Sequence, residues 1–137
     1  MFNEESSHRL PEALAIATVQ ELHLELIRRS RHNAFDGARV LADLLSQRAA
    51  WQAVLFDTCD LALSGGASLI KLRDMDRNIY NVDTLYILAV DEPAARRLAA
   101  FAEPWLADEV QIYSQKETNN LLGGCDDGPR LVTMWWD

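Results

Sequence analysis

Asp74, Asp76 and Asn78 occupy alternate positions in the stretch DMDRNIYNVD, the spacing at which a calcium loop presents its first three oxygen ligands. Such a loop also needs glycine at its sixth position for a sharp turn and glutamate at its twelfth, whose two oxygens close the coordination sphere. Here those positions hold Ile79 and Leu85. Isoleucine resists the positive φ that the turn requires, and leucine offers no oxygen. The stretch therefore reads as a polar turn in which Asp and Asn satisfy local backbone donors, and no metal site is expected from it.

Other reactive residue types are sparsely arranged. Asp57 and Asp60 in LFDTCDLAL are three apart, the spacing that puts two carboxylates on one exposed helical face rather than that of a phosphotransferase nucleophile pair. His8, His23 and His32 form no i, i+4 pair and have no cysteine or carboxylate partner at metal-ligand spacing. Cys59 and Cys125 match no CxxC or Cys/His pattern, so they read as ordinary reduced thiols. No serine or cysteine carries a nucleophile signature, and no cofactor is expected.

One stretch adds an enzymatic alternative. LALSGGAS followed by NVDTLYILAV resembles the nucleotidyltransferase superfamily of the polymerase-beta type, over about residues 60 to 90. In that superfamily a Gly-Ser or Gly-Gly after a first strand precedes a pair of metal-binding carboxylates on a second. The resemblance implies a Mg²⁺-dependent nucleotidyl or phosphoryl transferase-like domain, in which Gly65 and Gly66 admit a triphosphate and Asp83 holds the metal. The second member of the carboxylate pair would be Asn81, which lacks the anionic charge such a ligand supplies, so the site would be degenerate.

Binding chemistry is the stronger expectation. The chain carries 21 acidic against 13 basic residues, a formal charge of -8, which disfavours nucleic acid and anionic membranes as partners and suits a basic protein through electrostatic complementarity. Against that background Arg28, Arg29 and Arg31, joined by Arg39, form a local basic patch. They read either as complements to a helix C-terminus or as a site for an anion or acidic partner. At the other end, consecutive Trp135 and Trp136 must point to opposite faces if they lie on a strand, which leaves one of them to be covered by helices or to anchor a partner or a second copy. The function expected is that of a non-enzymatic protein-binding or regulatory domain.

The elements that must position these residues follow from periodicity. At 137 residues, 49% of them apolar, the chain suits one domain with its own core. Residues 1–10 read as a flexible leader, and the absence of a signal peptide or an apolar span points to the cytoplasm. Apolar residues at 15, 19, 22 and 26 predict a helix from Pro11 to about Arg31. Asn33, with Asp36 three residues on and Gly37 beside it, interrupts this pattern and caps a second helix starting near Phe35. WQAVLFD (51–57) is either its continuation or a buried strand, and residues 67–73 are either strand or helix. TLYILAV (84–90), EVQIYS (109–114) and RLVTMWW predict strands, EPAARRLAAFAEPWL a helix, and QKETNNLLGGCDDGP a loop. The expected architecture is α+β: an N-terminal helical hairpin packed on a small mixed sheet with a C-terminal β-α-β-β unit, its first two strands parallel.

Overall fold

The computed structural model describes residues 9–59 and 69–137. Residues 1–8, most of the expected leader, and Gly65 and Gly66 lie outside the described residues. The α+β class holds. Helix α1 (Glu12–Ile16) is separated by Ala17 and Thr18 from α2 (Val19–Arg29). A single helix was expected here, but Thr18 opens a capping box: its side chain accepts from the Glu21 N–H while the Glu21 carboxylate accepts from the Thr18 N–H. That exchange satisfies N–H donors that lose their i−4 carbonyl partners where the helix breaks at Ala17 and Thr18.

The hairpin turn is a miniature ladder. Strands β1 (Arg31–His32) and β2 (Phe35–Asp36) pair antiparallel around Asn33, which sits in the left-handed region at φ 48, a conformation Asn tolerates better than most residues. Asp36 then caps α3 (Gly37–Ser46) by accepting from the Arg39 N–H. Gly37 is where the two helices touch. A methyl group there would lie 1.8 Å from the Ile27 carbonyl oxygen and 2.5 Å from that of Ser30, and the Gly37 N–H donates to the Ser30 carbonyl at 3.0 Å.

After a 3-10 turn (Arg48–Ala50), residues 51–57 form strand β3 (Trp51–Asp57), with a bulge between Trp51 and Ala53. Helix α4 (Ile70–Asp74) and a 3-10 turn (Met75–Arg77) lead to β4 (Thr84–Ala89). Asp91 caps α5 (Glu92–Ala99), with Pro93 in its first turn, where a missing N–H costs nothing. Strand β5 (Glu109–Ile112), helix α6 (Gln115–Leu122) and strand β6 (Arg130–Trp135) complete the fold. The stretch expected as a loop contains α6, opened by a second capping box between Ser114 and Glu117.

The four-stranded sheet has the order β3-β4-β6-β5, and all its ladders are antiparallel rather than mixed. Strands β4 and β5, joined by α5, do run in the same direction, but β6 inserts between them. One face carries the core, in which Val54, Phe56, Leu85, Ile87, Val132, Met134 and Trp136 are buried with Ile27, Phe35, Val40 and Leu44 of the hairpin and Leu98 of α5. Each buried tryptophan finds a partner for its ring N–H, as an amphipathic ring requires: Trp51 donates to the Leu44 carbonyl, Trp136 to that of Trp105, and Trp105 to the Asp43 carboxylate, at 2.7 to 2.9 Å. Among the described residues no helix is long and apolar enough to cross a membrane.

Because the obstructing atoms at Gly37 are backbone oxygens, Gly37→Ala must spread the α2–α3 contact. We expect a loss of about 3 kcal/mol in urea unfolding. Gly124→Ala, with no atom within 4 Å of the added carbon, should leave the midpoint nearly unchanged.

Candidate functional site

Among the described residues the second face of the sheet is only partly covered and bears a groove. Its floor is built by the residues that alternate with the core: Leu55 of β3, Thr84 and Tyr86 of β4, Leu131, Thr133 and Trp135 of β6. Leu121 and Leu122 of α6 close one end, and together they bound a groove of about 940 Å³. The charged residues lining it are Asp57, Asp108 and Glu109, without a lysine or arginine.

Trp135 and Trp136 divide as alternation demands. Trp136 is buried on the covered face, edge-on to Phe35 with ring centres 4.7 Å apart, so it serves packing and is not a surface anchor. Trp135 lies half-buried in the groove. Of the arginines, Arg28 and Arg29 both hydrogen-bond Glu25 at 2.6 to 2.7 Å, which holds the Glu25 carboxyl down at about 2, chiefly through Arg28. Arg31 and Arg39 instead line a separate hollow of about 230 Å³ with Asp36 and Trp105. The four do not converge on one point.

The carboxylates of the middle segment act as pins. Asp57, at the end of β3, accepts from the Thr58 N–H at 2.7 Å and from the Lys71 ammonium at 2.5 Å, tying α4 to the sheet. Asp83 accepts from the Cys59 N–H at 3.1 Å and the Thr84 hydroxyl at 2.8 Å. Asp74 is buried and held by Arg73, Arg77 and Asn81 at 2.9 to 3.2 Å. DMDRNIYNVD is thus a helical turn ending at Asn78 in the left-handed region, φ 60. Its residues 74 and 81, far from competing for a cation, bond each other. Among the described residues no group of three or more His, Cys, Asp or Glu side chains could hold a metal ion.

His32, Cys59 and Asp83 share a cleft of about 370 Å³. The imidazole makes its contact with Asn33 at 3.4 Å rather than with Cys59 or Asp83. Among the described residues no base is shown within hydrogen-bond reach of the thiol, and an activated nucleophile needs one. Two tyrosines hang between the strands: the Tyr80 hydroxyl donates to the Phe56 carbonyl and the Tyr86 hydroxyl to that of Thr58, both at 2.9 Å. Both hydroxyls are pushed up to about 12, first by burial, then by nearby negative charge at Asp57 for Tyr80 and at Cys59 and Asp57 for Tyr86. They remain protonated donors and are not general bases.

Sequence reading missed Tyr86, Leu131, Thr133, Leu121 and Leu122. Each had a signal. The strands alternate two usable faces, and SQKE before an apolar pair is a capping box that announces α6.

Asp74 sets an acid limit. Its carboxyl is lowered to about 2 by the hydrogen bond from Arg73 first, with Asn81 and Arg77 adding to it. A depressed carboxyl stabilises the fold above its ordinary range and loses that contribution as pH falls through the depressed value. Asp74→Asn should therefore flatten the dependence of the urea midpoint on pH between about 4 and about 2 relative to wild type, while Glu25 titrates in both proteins. The chain matches no family model, no curated protein and no solved structure, so its own geometry carries the functional argument.

Proposed function

We propose that this chain is a non-enzymatic protein-binding domain that receives a basic partner against the open face of its sheet. The observation that carries the reading is the groove itself: an apolar and aromatic floor around Trp135 and Tyr86 whose charged lining residues are Asp57, which Lys71 already pairs, and Asp108 and Glu109. Burial of that floor would supply the affinity. The rim, with a net charge of -8 behind it, would select basic partners and speed their approach. Pairing of Arg28 and Arg29 with Glu25 argues against the hairpin turn as the main contact, since those guanidiniums would have to give up existing partners.

Affinity capture with wild type, Trp135→Ser and an Arg31→Gln/Arg39→Gln double variant tests this, with circular dichroism confirming that each is folded. Basic proteins retained by wild type should be lost in Trp135→Ser, kept in the arginine variant, and released progressively by salt. Capture indifferent to Trp135 but lost with the two arginines would move the interface to the hairpin and overturn the proposal.

A further inference from the structure

We propose that β5 takes an extended segment of the partner as a fifth strand, with side chains alternating between apolar and lysine or arginine. This rests on the groove reading above and specifies how the partner enters. The phase of the ladder decides which backbone groups are open. Tyr113 donates to the Leu131 carbonyl at 2.9 Å, and the register pairs Gln111 with Thr133 and Glu109 with Trp135. Residues 109, 111 and 113 therefore turn their N–H and C=O groups toward β6, and Val110 and Ile112 turn theirs outward. Strand β5 ends the strand order, and among the described residues nothing pairs with those outward groups.

The opposite edge is treated differently. On β3 the outward groups belong to Val54 and Phe56. The Gln20 side chain of α2 donates to the Val54 carbonyl and accepts from the Val54 N–H, both at 2.9 Å, as a strand would. Tyr80 covers the Phe56 carbonyl. One edge is thus closed by side chains from two other segments while the other is left able to pair, which is the requirement for strand addition.

Side chains fix the chemistry of the incoming segment. Its residues on the covered side of the sheet would lie beside Val110 and Ile112, which are 46% and 38% exposed, and would have to be apolar. Residues on the groove side would meet Glu109 with Asp108 next to it. Asp108 already accepts from the Asp137 N–H, but among the described residues no cation pairs with Glu109, and no Lys or Arg lines the groove. A second copy of the strand, EVQI, would bring no basic residue to it.

Isotope-labelled protein titrated with a peptide of alternating valine and lysine tests the proposal by amide exchange. Exchange at Val110 and Ile112 should slow by about tenfold or more on saturation, while the Gln111 amide, already given to β6, stays as it was. Ile112→Pro removes one outward donor at an edge position that accepts proline and should weaken binding about tenfold. If that variant fails to fold, the exchange pattern in wild type decides alone. Unchanged exchange at both amides, equal binding of an alternating valine-glutamate peptide, or full binding by a folded Ile112→Pro overturns the proposal. So does protection that rises with protein concentration without peptide, which would assign the edge to a second copy. Partner binding lost in Trp135→Ser but kept in Ile112→Pro would leave the groove reading standing and remove only the strand pairing.

Discussion

The fold depends on Phe35 being wedged between the two edges of the core. Its ring stacks on Phe56 of β3 with centres 4.3 Å apart and meets Trp136, beyond β6, edge-on at 4.7 Å. Phe35 sits in the turn between α2 and α3, so this contact fastens the hairpin across the sheet, from the β3 edge to the end of β6. The turn can deliver it only because Gly37, two residues on, lets α3 start against the carbonyl oxygens of Ile27 and Ser30. Backbone approach that close has no substitute in side-chain packing. Once the hairpin and α5 are committed to one face, the described segments leave the other face of the sheet as the groove.

The acidic residues that first draw attention as ligands are better understood as the fittings at one end of this sheet. Asp57 and Asp83 lie at the end of β3 and the entry to β4, and each accepts from the backbone N–H of Thr58 or Cys59. Asp74 holds two arginines and Asn81. A carboxylate with its oxygens occupied by charged donors is stabilised as an anion, and a cation entering such a site would first have to displace them. Placement, rather than residue type, decides between a ligand and a strut.

How much of this was legible follows from which signals are local. Strand β4 could be read because TLYILAV is rich in β-branched and aromatic residues and is stopped by Asp91, and α5 because Pro93 marks its first turn. Residues 51–57 were not decidable: WQAVLFD is a short apolar run, and pairing with β4, a long-range event, makes it a strand. Insertion of β6 between β4 and β5 is likewise invisible to periodicity, so parallel direction was anticipated while strand order was not. The breaks at Thr18 and Ser114 were local and could have been found, since both open on a hydroxyl residue followed three later by glutamate. At the site, alternation required Trp135 and Trp136 to oppose each other, but only the position of Phe35 selects which of them is inside.

The contrast between the two sheet edges narrows what the open face can be. An antiparallel sheet face left to water ordinarily presents polar residues, whereas among the described residues this one presents Leu55, Tyr86 and Trp135 beside carboxylates. Exposed strand edges invite indiscriminate pairing unless something discriminates. At β3 that problem is met by Gln20, whose amide imitates a neighbouring strand at a single residue. At β5 a four-residue strand limits the number of hydrogen bonds any partner can gain, and Glu109, without a cation partner among the described residues, repels acidic segments. On the proposed reading, a short, negatively marked edge beside an apolar groove would supply weak backbone affinity with strong selectivity, and would leave most of the binding energy to the side chains that reach the floor.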